Sequence, residues 1–426
     1  MKFALSRRQR RLLVILSTRS RRRAIFLLGG VVVGAAAAVL AKLADEAQGV
    51  FALLLGQSRY WPLLVTPVGF LISVYLTTRF FQNAQGSGIP QAIAARRLTD
   101  QGARGRLVSM RVAIGKFCLT LFALLVGASV GREGPTVQIG ASIMFALGRV
   151  SPRRQPGLIL AGASAGVAAA FNTPLAGIIF GIEEMSRSFE TRSSTLIIAA
   201  VVAAGLTSIA FLGNYTYFGS SAMGLHGGVD WLAIPACGIV GGLAGGLFSR
   251  IVVAAGASAL INRHPLLLAL GCGLAVAICG FVSGDTVYGT GYAQVKSALE
   301  SGAPLPADFG VLKFLATTLS SISGLPGGIF SPSLAVGAGF GSNIAALFSA
   351  TPIAAIMLLG MVAYFSGVVQ APITAFVIVI EMTDNHAMVI PLMAASLIAY
   401  ATSRLVAEEG IYHALARRFV APARAS

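Results

Sequence analysis

Three short motifs rich in glycine and proline have the composition expected of backbone anion-binding turns. They are GSGIP at 86–90, GREGP at 131–135 and GIFSP at 328–332. Glycine permits a sharp turn, and proline fits the first turn of a following helix. The unpaired N–H groups and dipole of a helix start attract an anion without a full positive charge. Taken singly, each motif is more typical of a loop that ends a helix; together they predict an anion site. Its backbone comprises Gly86, Gly88, Ile89, Pro90, Gly131, Arg132, Gly134, Pro135, Gly328, Ser331 and Pro332.

Two side chains within these motifs have chemistry of their own. Ser87 offers a hydroxyl donor to the anion. Glu133 could occupy the anion's position with its carboxylate and leave when protonated, which would couple proton movement to anion movement. A glutamate that only stabilises a helix dipole is the simpler interpretation. That interpretation gives no reason to place a charge at membrane depth.

Other charges interrupt apolar stretches and need an explanation, because a charge at membrane depth costs about 2.5–3.5 kcal/mol. Glu183 and Glu184 end the charge-free stretch 155–182. Neighbouring helical residues point about 100° apart, so we expect different roles, with one glutamate pairing structurally with Arg187 or Lys116 and the other lining a proton route. Either could also be a simple helix-end charge. For Lys116 we expect a carboxylate partner.

The amino-acid composition indicates the class of protein that holds these residues in place. The chain has 426 residues, 56% of them hydrophobic and 11% charged, with a mean hydropathy of +0.80. Soluble proteins carry about 25% charged residues. At about 20 apolar residues per crossing, the chain could supply ten or more membrane segments. Since the apolar runs exceed 18 residues without strict alternation, we predict an all-α polytopic membrane protein.

The basic residues account for a formal net charge of +17. Nine of them lie in residues 1–23, and others crowd short connections beside apolar segments. This is the positive-inside pattern, so we expect both termini in the cytoplasm and residues 1–23 to be neither cleaved nor membrane-spanning. We expect no nucleic-acid partner, because the basic residues do not interleave with aromatic ones.

Two other chemistries are disfavoured. The sequence Gly162-Ala-Ser164-Ala-Gly166 matches the G-x-S-x-G pattern of hydrolases, but it lies in an alanine-rich helical stretch. Small residues there favour close helix packing, and we predict no enzyme activity. The cysteines lack metal-ligand spacing, so we expect core packing and neither a metal nor a cofactor. They are Cys118, Cys237, Cys272 and Cys279.

A shift of 198 residues aligns the stretch 160–184 with 358–382, including Pro174 with Pro372 and Glu183 with Glu381. A shift of 197 aligns GREGP with GIFSP. We therefore predict two related membrane repeats, in which the site lies near the bilayer midplane, where the repeats meet. The predicted division is a basic cytoplasmic segment 1–23, repeats 24–215 and 230–409, a connecting loop 216–229, and a C-terminal segment 410–426.

These residues resemble the CLC family of chloride channels and chloride/proton exchangers. The three motifs are similar to its three anion-binding signatures, in the same order. LAGIIFGIEEM (175–185), APITAFVIVIEMTDN (371–385) and the tyrosine of GIYHAL (410–415) are also similar to CLC segments. The resemblance runs from about residue 24 to the C-terminus. It implies two inverted-topology repeats with many tilted and broken helices, one pore per subunit, and a homodimer.

The resemblance also implies residue roles. The hydroxyls of Ser87 and Tyr412 and the backbone N–H groups of Ile329 and Phe330 would bind chloride. Glu133 would be the gate and proton acceptor, and Glu184 the internal proton-transfer residue, which favours a chloride/proton exchanger over a channel. Serine at 87 points to chloride rather than nitrate, and GREGP with Tyr412 argues against the fluoride-exporting branch.

One departure weakens the prediction of tight coupling. Some bacterial exchangers carry acidic residues just after GSGIP that connect the internal glutamate to water, whereas this chain has QAIAARR at 91–97. A passive chloride channel of the same fold therefore remains the alternative. A cation transporter would need carboxylates or carbonyl oxygens instead of N–H groups. The resemblance and the chain length point to a bacterial inner membrane, with chloride, protons and membrane lipid as partners.

Overall fold

A computed structural model describes residues 7–186, 191–219, 223–225, 228–259, 263–348 and 351–420. Within them the chain is helical, and extended pairing is limited to two isolated bridges. The first-half helices are α1 Arg7–Gln57, α2 Pro62–Phe80, α3 Ile89–Arg97, α4 Gln101–Leu107, α5 Met110–Leu125, α6 Glu133–Leu147, α7 Gln155–Phe171, α8 Pro174–Phe180 and α9 Thr191–Leu212. They are followed by α10 Ala233–Ala257, α11 Pro265–Val282, α12 Tyr292–Ser301, α13 Phe309–Ile322, α14 Phe330–Ala345, α15 Ile353–Val369, α16 Pro372–Thr383, α17 Val389–Ser403 and α18 Ile411–Val420.

The predicted all-α membrane architecture is confirmed. Seven helices of the described residues are long and apolar enough to cross a membrane, and three apolar helices are shorter. Large apolar side chains remain exposed on these helices, such as Leu206 at 64% and Leu267 at 66%. A bilayer would cover such side chains. The number of full-length spans is below ten because much of the apolar sequence forms short helices.

The two halves repeat the same close helix packing. In the first half, a side chain at Gly140 on α6 would collide with the carbonyl oxygen of Gly162 on α7. In the second half, a side chain at Gly337 on α14 would collide with the carbonyl oxygen of Gly360 on α15. The paired positions lie 197 and 198 residues apart. Glycine is required here because the helix backbones touch.

Two glutamates cap helices of the opposite half. Glu183 accepts hydrogen bonds from the backbone N–H groups of Ile373 and Thr374, at 3.1 and 2.5 Å, where α16 begins. Glu381 accepts from Leu175 and Ala176, at 3.0 and 2.6 Å, where α8 begins. Each carboxylate therefore satisfies N–H groups that a helix start leaves unpaired. This reciprocal exchange joins the halves at equivalent positions.

The structure corrects the predicted pairing of Lys116. Its Nζ donates to the carbonyl oxygens of Gly86 and Gln85, at 2.7 and 3.4 Å, instead of to a carboxylate. Glu183, one of the two glutamates proposed to pair with a base, caps α16 instead. Arg187, the other base proposed, lies outside the described residues.

Two predictions about packing have different outcomes. Gly162, Ser164 and Gly166 lie within the continuous helix α7, so the G-x-S-x-G match is a helical packing segment, as predicted. Cys237 and Cys272 are buried. Core packing is wrong for Cys118, which is exposed on α5. An apolar stretch that faces lipid has the same composition as one that faces the core, which explains this error.

The reciprocal capping can be tested with Glu381→Ala. Loss of the two hydrogen bonds to α8 should lower the unfolding free energy by about 1–2 kcal/mol, seen as a lower midpoint of thermal unfolding in detergent. Glu300→Ala is the control, because Glu300 has a side chain that is 56% exposed on α12. Equal midpoints for the two variants would contradict the capping role.

Candidate anion site

Backbone hydrogen bonds hold the three glycine-rich motifs together. Gly131 N donates to Gly328 O at 2.6 Å and Gly328 N donates to Gly131 O at 2.7 Å, which joins the second motif to the third. Gly86 N donates to Leu325 O at 2.9 Å and Gly327 N donates to Gly86 O at 3.0 Å, which joins the first motif to the residues just before the third. Segments about 200 to 240 residues apart in sequence thus meet at one place.

Each motif leads directly into a helix, as predicted. Helices α3, α6 and α14 begin at Ile89, Glu133 and Phe330. Gly88 precedes α3 with a φ of 95°, in the region that favours glycine. A side chain on Gly88 would also lie 2.7 Å from the side chain of Gln138. The three helix starts therefore approach each other through backbone that only glycine accommodates.

Three of the four predicted chloride-binding residues line one small cavity, and Phe330 lies outside its lining. Ser87, Ile329 and Tyr412 surround a space of about 40 Å³, sufficient for one water-sized species of about 30 Å³. Among the described residues, no hydrogen bond of normal geometry pairs the buried hydroxyl groups of Ser87 and Tyr412, although the two side chains are close enough to interact with each other. Two such donors at a helix start suit an anion. Phe330 is 1% exposed, and its ring packs on Phe365 with centroids 4.1 Å apart.

Glu133 is fully buried at the first position of α6. Its Oε1 accepts a hydrogen bond of 2.5 Å from the Ser331 hydroxyl. The Tyr217 hydroxyl lies 3.4 Å from Ser331 Oγ and can donate to it. Glu133 Oε2 has no partner among the described residues and lies against Gly131, where any side chain would collide with it. The carboxylate thus lies within the turn that joins two motifs.

The neighbouring Arg132 is directed elsewhere. Its guanidinium donates to Ala41 O at 2.5 Å and pairs with Asp45 at 2.6 Å, and both residues belong to α1. The Arg132 side chain is 6% exposed, and that of Asp45 is 58% exposed. The Arg132 side chain therefore anchors the turn to α1, and its charge is paired with that of Asp45.

Lys116 supports the first motif from behind. It is fully buried, and its ammonium group binds the carbonyl side of the turn at Gly86. Lys313 has the same arrangement 197 residues later, because it donates to Gly289 O at 2.7 Å. Gly289 and Gly291 have positive φ like Gly86 and Gly88. The segment GTGY at 289–292 is therefore the structural counterpart of GSGI at 86–89.

Glu184 lies on a π-helical turn at Gly181–Ser186. It is 2% exposed. His413 Nε2 lies 2.7 Å from the Glu184 carbonyl oxygen and 3.5 Å from its Oε1. The other ring nitrogen, Nδ1, lies 2.7 Å from Arg97 Nη2. The two neighbouring glutamates thus have different surroundings: Glu183 meets backbone N–H groups, and Glu184 meets an imidazole.

The structure brings the motif residues together but adds contacts that the sequence did not indicate. Tyr217, Lys116 and His413 contact the site or Glu184 and were not among the predicted site residues. Spacing could have indicated Lys116, because a lysine recurs 197 residues later at Lys313. His413 follows Tyr412 directly, yet a terminal position gave no signal of burial.

The fold and the cavity define a polytopic membrane protein with a candidate anion site at helix starts. The family model of the voltage gated chloride channel matches residues 68–404. The chain therefore belongs to the voltage-gated chloride channel family, known as CLC.

Individual relatives agree with this assignment. The chain is 32% identical over 399 residues to an H(+)/Cl(-) exchange transporter ClcA of Yersinia pestis, covering 85% of this chain and 80% of the relative. The ClcA of Yersinia pseudotuberculosis serotype IB is 32% identical over 397 residues, covering 84% and 79%. A crystal structure of a slow cyanobacterial Cl-/H+ antiporter superposes with a TM-score of 0.79 and 25% identity, covering 94% and 98%. A CLC-type fluoride/proton antiporter also has a TM-score of 0.79, at 23% identity, with 93% and 98% covered, and shows the fold alone.

Tyr412→Ala tests the cavity assignment. Removal of a hydroxyl that faces the cavity should weaken chloride binding by about 1–2 kcal/mol, or roughly tenfold, measured by isothermal titration calorimetry in detergent. Tyr60→Ala is the control, because Tyr60 is 64% exposed. An unchanged chloride Kd for Tyr412→Ala would remove Tyr412 from the site.

Proposed function

We propose that this protein exchanges chloride for protons across a membrane, with Glu133 as the gate and proton acceptor. The observation that carries this proposal is the buried Glu133 carboxylate at a helix start, hydrogen bonded to Ser331. A carboxylate at that place competes with an anion for the same positive potential. The family relatives named as H(+)/Cl(-) exchange transporters support the same activity.

The proposed chloride site is the cavity at Ser87, Ile329 and Tyr412. The two hydroxyl groups and the N–H groups at the start of α14, from Ile329 and Phe330, would replace part of the anion's hydration shell. The remaining backbone of the three motifs sets the positions of these donors. A site made only of dipoles holds chloride without a buried full charge, which would otherwise bind it too tightly for release.

The coupling follows from protonation of Glu133. As a carboxylate, Glu133 occupies the helix start and prevents passage of an anion. Once protonated it is neutral, so the helix dipole no longer holds it, and chloride can take its place. Glu184 would hand protons to or from the opposite side, since it is the other buried glutamate directed away from helix capping.

The passive channel is the alternative, and the segment 91–97 is the observation in its favour. This segment brings Arg97 and no carboxylate to the neighbourhood of Glu184. A buried Glu184 has little purpose in a passive pore, so exchange is the better supported activity.

The cellular setting is proposed from the charge pattern and the exposed apolar side chains. The basic N-terminal segment supports a bacterial inner membrane with both termini in the cytoplasm. Exposed apolar side chains on α9 and α11 support lipid contact and leave room for a homodimer. We also retain the division into repeats 24–215 and 230–409, supported by the reciprocal capping of Glu183 and Glu381.

Glu133→Gln provides the test. The amide mimics a protonated carboxyl and cannot release a proton, so proton transport should be abolished while chloride still passes. Purified protein in liposomes with a chloride gradient allows both fluxes to be followed, with a pH electrode and a chloride electrode. Glu46→Gln, at an exposed position on α1, is the matched control.

The proton and chloride fluxes of the wild-type protein distinguish an exchanger from a passive channel. Protons driven uphill by the chloride gradient, lost in Glu133→Gln and retained in Glu46→Gln, would support exchange. Chloride flux in the wild type without proton movement would instead identify a channel.

A further inference from the structure

Arg97, His413 and Glu184 form a row of contacting side chains from the surface to a buried carboxylate. Arg97 is exposed at the last position of α3. His413, on α18, is 1% exposed, and the Glu184 side chain is 3% exposed. The imidazole touches both neighbours, through Nδ1 to Arg97 at 2.7 Å and through Nε2 to Glu184.

The chemistry of Arg97 fixes where the imidazole proton lies. A guanidinium has only donors, so His413 Nδ1 must accept the hydrogen bond and carry no proton. The proton of the neutral ring is then on Nε2, which donates to the Glu184 carbonyl oxygen. The same Nε2–H lies 3.5 Å from Glu184 Oε1. A proton donor is thus already directed towards the carboxylate.

Among Arg96, Arg97 and His413, the imidazole of His413 is the group suited to carry a proton. The segment 91–97 supplies Arg96 and Arg97, and arginine is not deprotonated in proteins. Arg96 is engaged with the Met185 carbonyl and the Ser186 hydroxyl, at 3.2 and 2.8 Å. Histidine changes its protonation near neutral pH and can pass a proton from one ring nitrogen to the other side.

We propose that His413 relays protons between Glu184 and the adjoining solution, and that Arg97 is the removable cover of its outer nitrogen. This inference rests on the proposed function, because it gives Glu184 its connection to water. It also resolves the departure at 91–97: an imidazole contributed by α18 takes the place of acidic residues on α3.

The relay has balanced steps. When Arg97 withdraws into solvent, Nδ1 takes a proton from a hydronium ion, which becomes water, and Nε2 gives its own proton to Glu184 Oε1. The N–H bond at Nε2 breaks as the O–H bond forms, so the ring ends neutral with its proton on Nδ1. A rotation of the ring returns an N–H to the Glu184 side, and transport in the other direction reverses these steps.

His413→Gln distinguishes a relay from a purely structural residue. The glutamine amide can still donate to the Glu184 carbonyl oxygen but cannot accept and release a proton. A relay predicts that proton flux falls by at least about tenfold, while chloride flux stays close to that of the wild type. A structural role predicts that the proton-to-chloride ratio is retained. His386→Gln is the matched control, because the His386 side chain is 80% exposed.

Two further variants complete the liposome experiment. Arg97→Ala removes the cover, so its proton flux should equal or exceed that of the wild type. Arg106→Ala, at an exposed position on the neighbouring helix α4, is the control. If His413→Gln does not assemble, Arg97→Ala decides, and a loss of proton flux in that variant would overturn the proposal.

Glu184→Gln distinguishes a failure of the His413 relay from a failure of the proposed proton route. If it abolishes proton flux while His413→Gln retains wild-type coupling, the relay is wrong and the proposed exchange stands. If Glu184→Gln has no effect on proton flux, the proposed proton route itself fails.

Discussion

The N–H groups at a helix start need an acceptor, and at membrane depth water is not there to provide one. This chain meets that requirement in two ways. Helices α8 and α16 are capped permanently by Glu381 and Glu183, each contributed by the opposite half. The segments that lead into α3, α6 and α14 instead line a cavity that holds the hydroxyls of Ser87 and Tyr412. A permanent acceptor stabilises the fold, whereas an exchangeable acceptor produces a transport site. Glu133 is intermediate between a permanent and an exchangeable acceptor. It is a side chain fixed to the chain, but protonation can remove its negative charge.

Corresponding glycine turns in the two halves differ in whether a side chain of the protein fills the acceptor position beside the turn. Lys116 and Lys313 hold corresponding glycine turns by their carbonyl oxygens. In the second-half turn, Gln48 Oε1 accepts from both the N–H and the hydroxyl of Thr290, at 3.0 and 3.1 Å. In the first-half turn, no hydrogen bond of normal geometry pairs the hydroxyl of Ser87 among the described residues. A side-chain amide thus occupies the acceptor position in one half, and the position stays available for an anion in the other.

The sequence predicted those features that depend on local chemistry. Glycine and proline mark the three helix starts because few other residues adopt that backbone. Glu133 was recognisable because it lies inside such a motif. The partners of Lys116 and Glu183 were not predicted, since both bind backbone groups of segments far away in sequence. Backbone groups are the same at nearly every residue, so the sequence does not indicate which of them bind a buried charge. The sequence therefore suggested a charged partner, which the structure does not supply.

Adjacent residues face different surroundings in two places. On the π-helical turn, Glu183 caps α16 and Glu184 faces His413. On α18, Tyr412 lines the cavity and His413 contacts Glu184. Neighbouring helical side chains diverge by about 100°, so α18 presents a hydroxyl to the cavity and an imidazole to the buried carboxylate. The candidate anion site and the surroundings of Glu184 therefore adjoin the same helix, and one rigid element fixes their distance. Under the proposed function, a displacement of α18 would change both places at once, because the two side chains move with one helix.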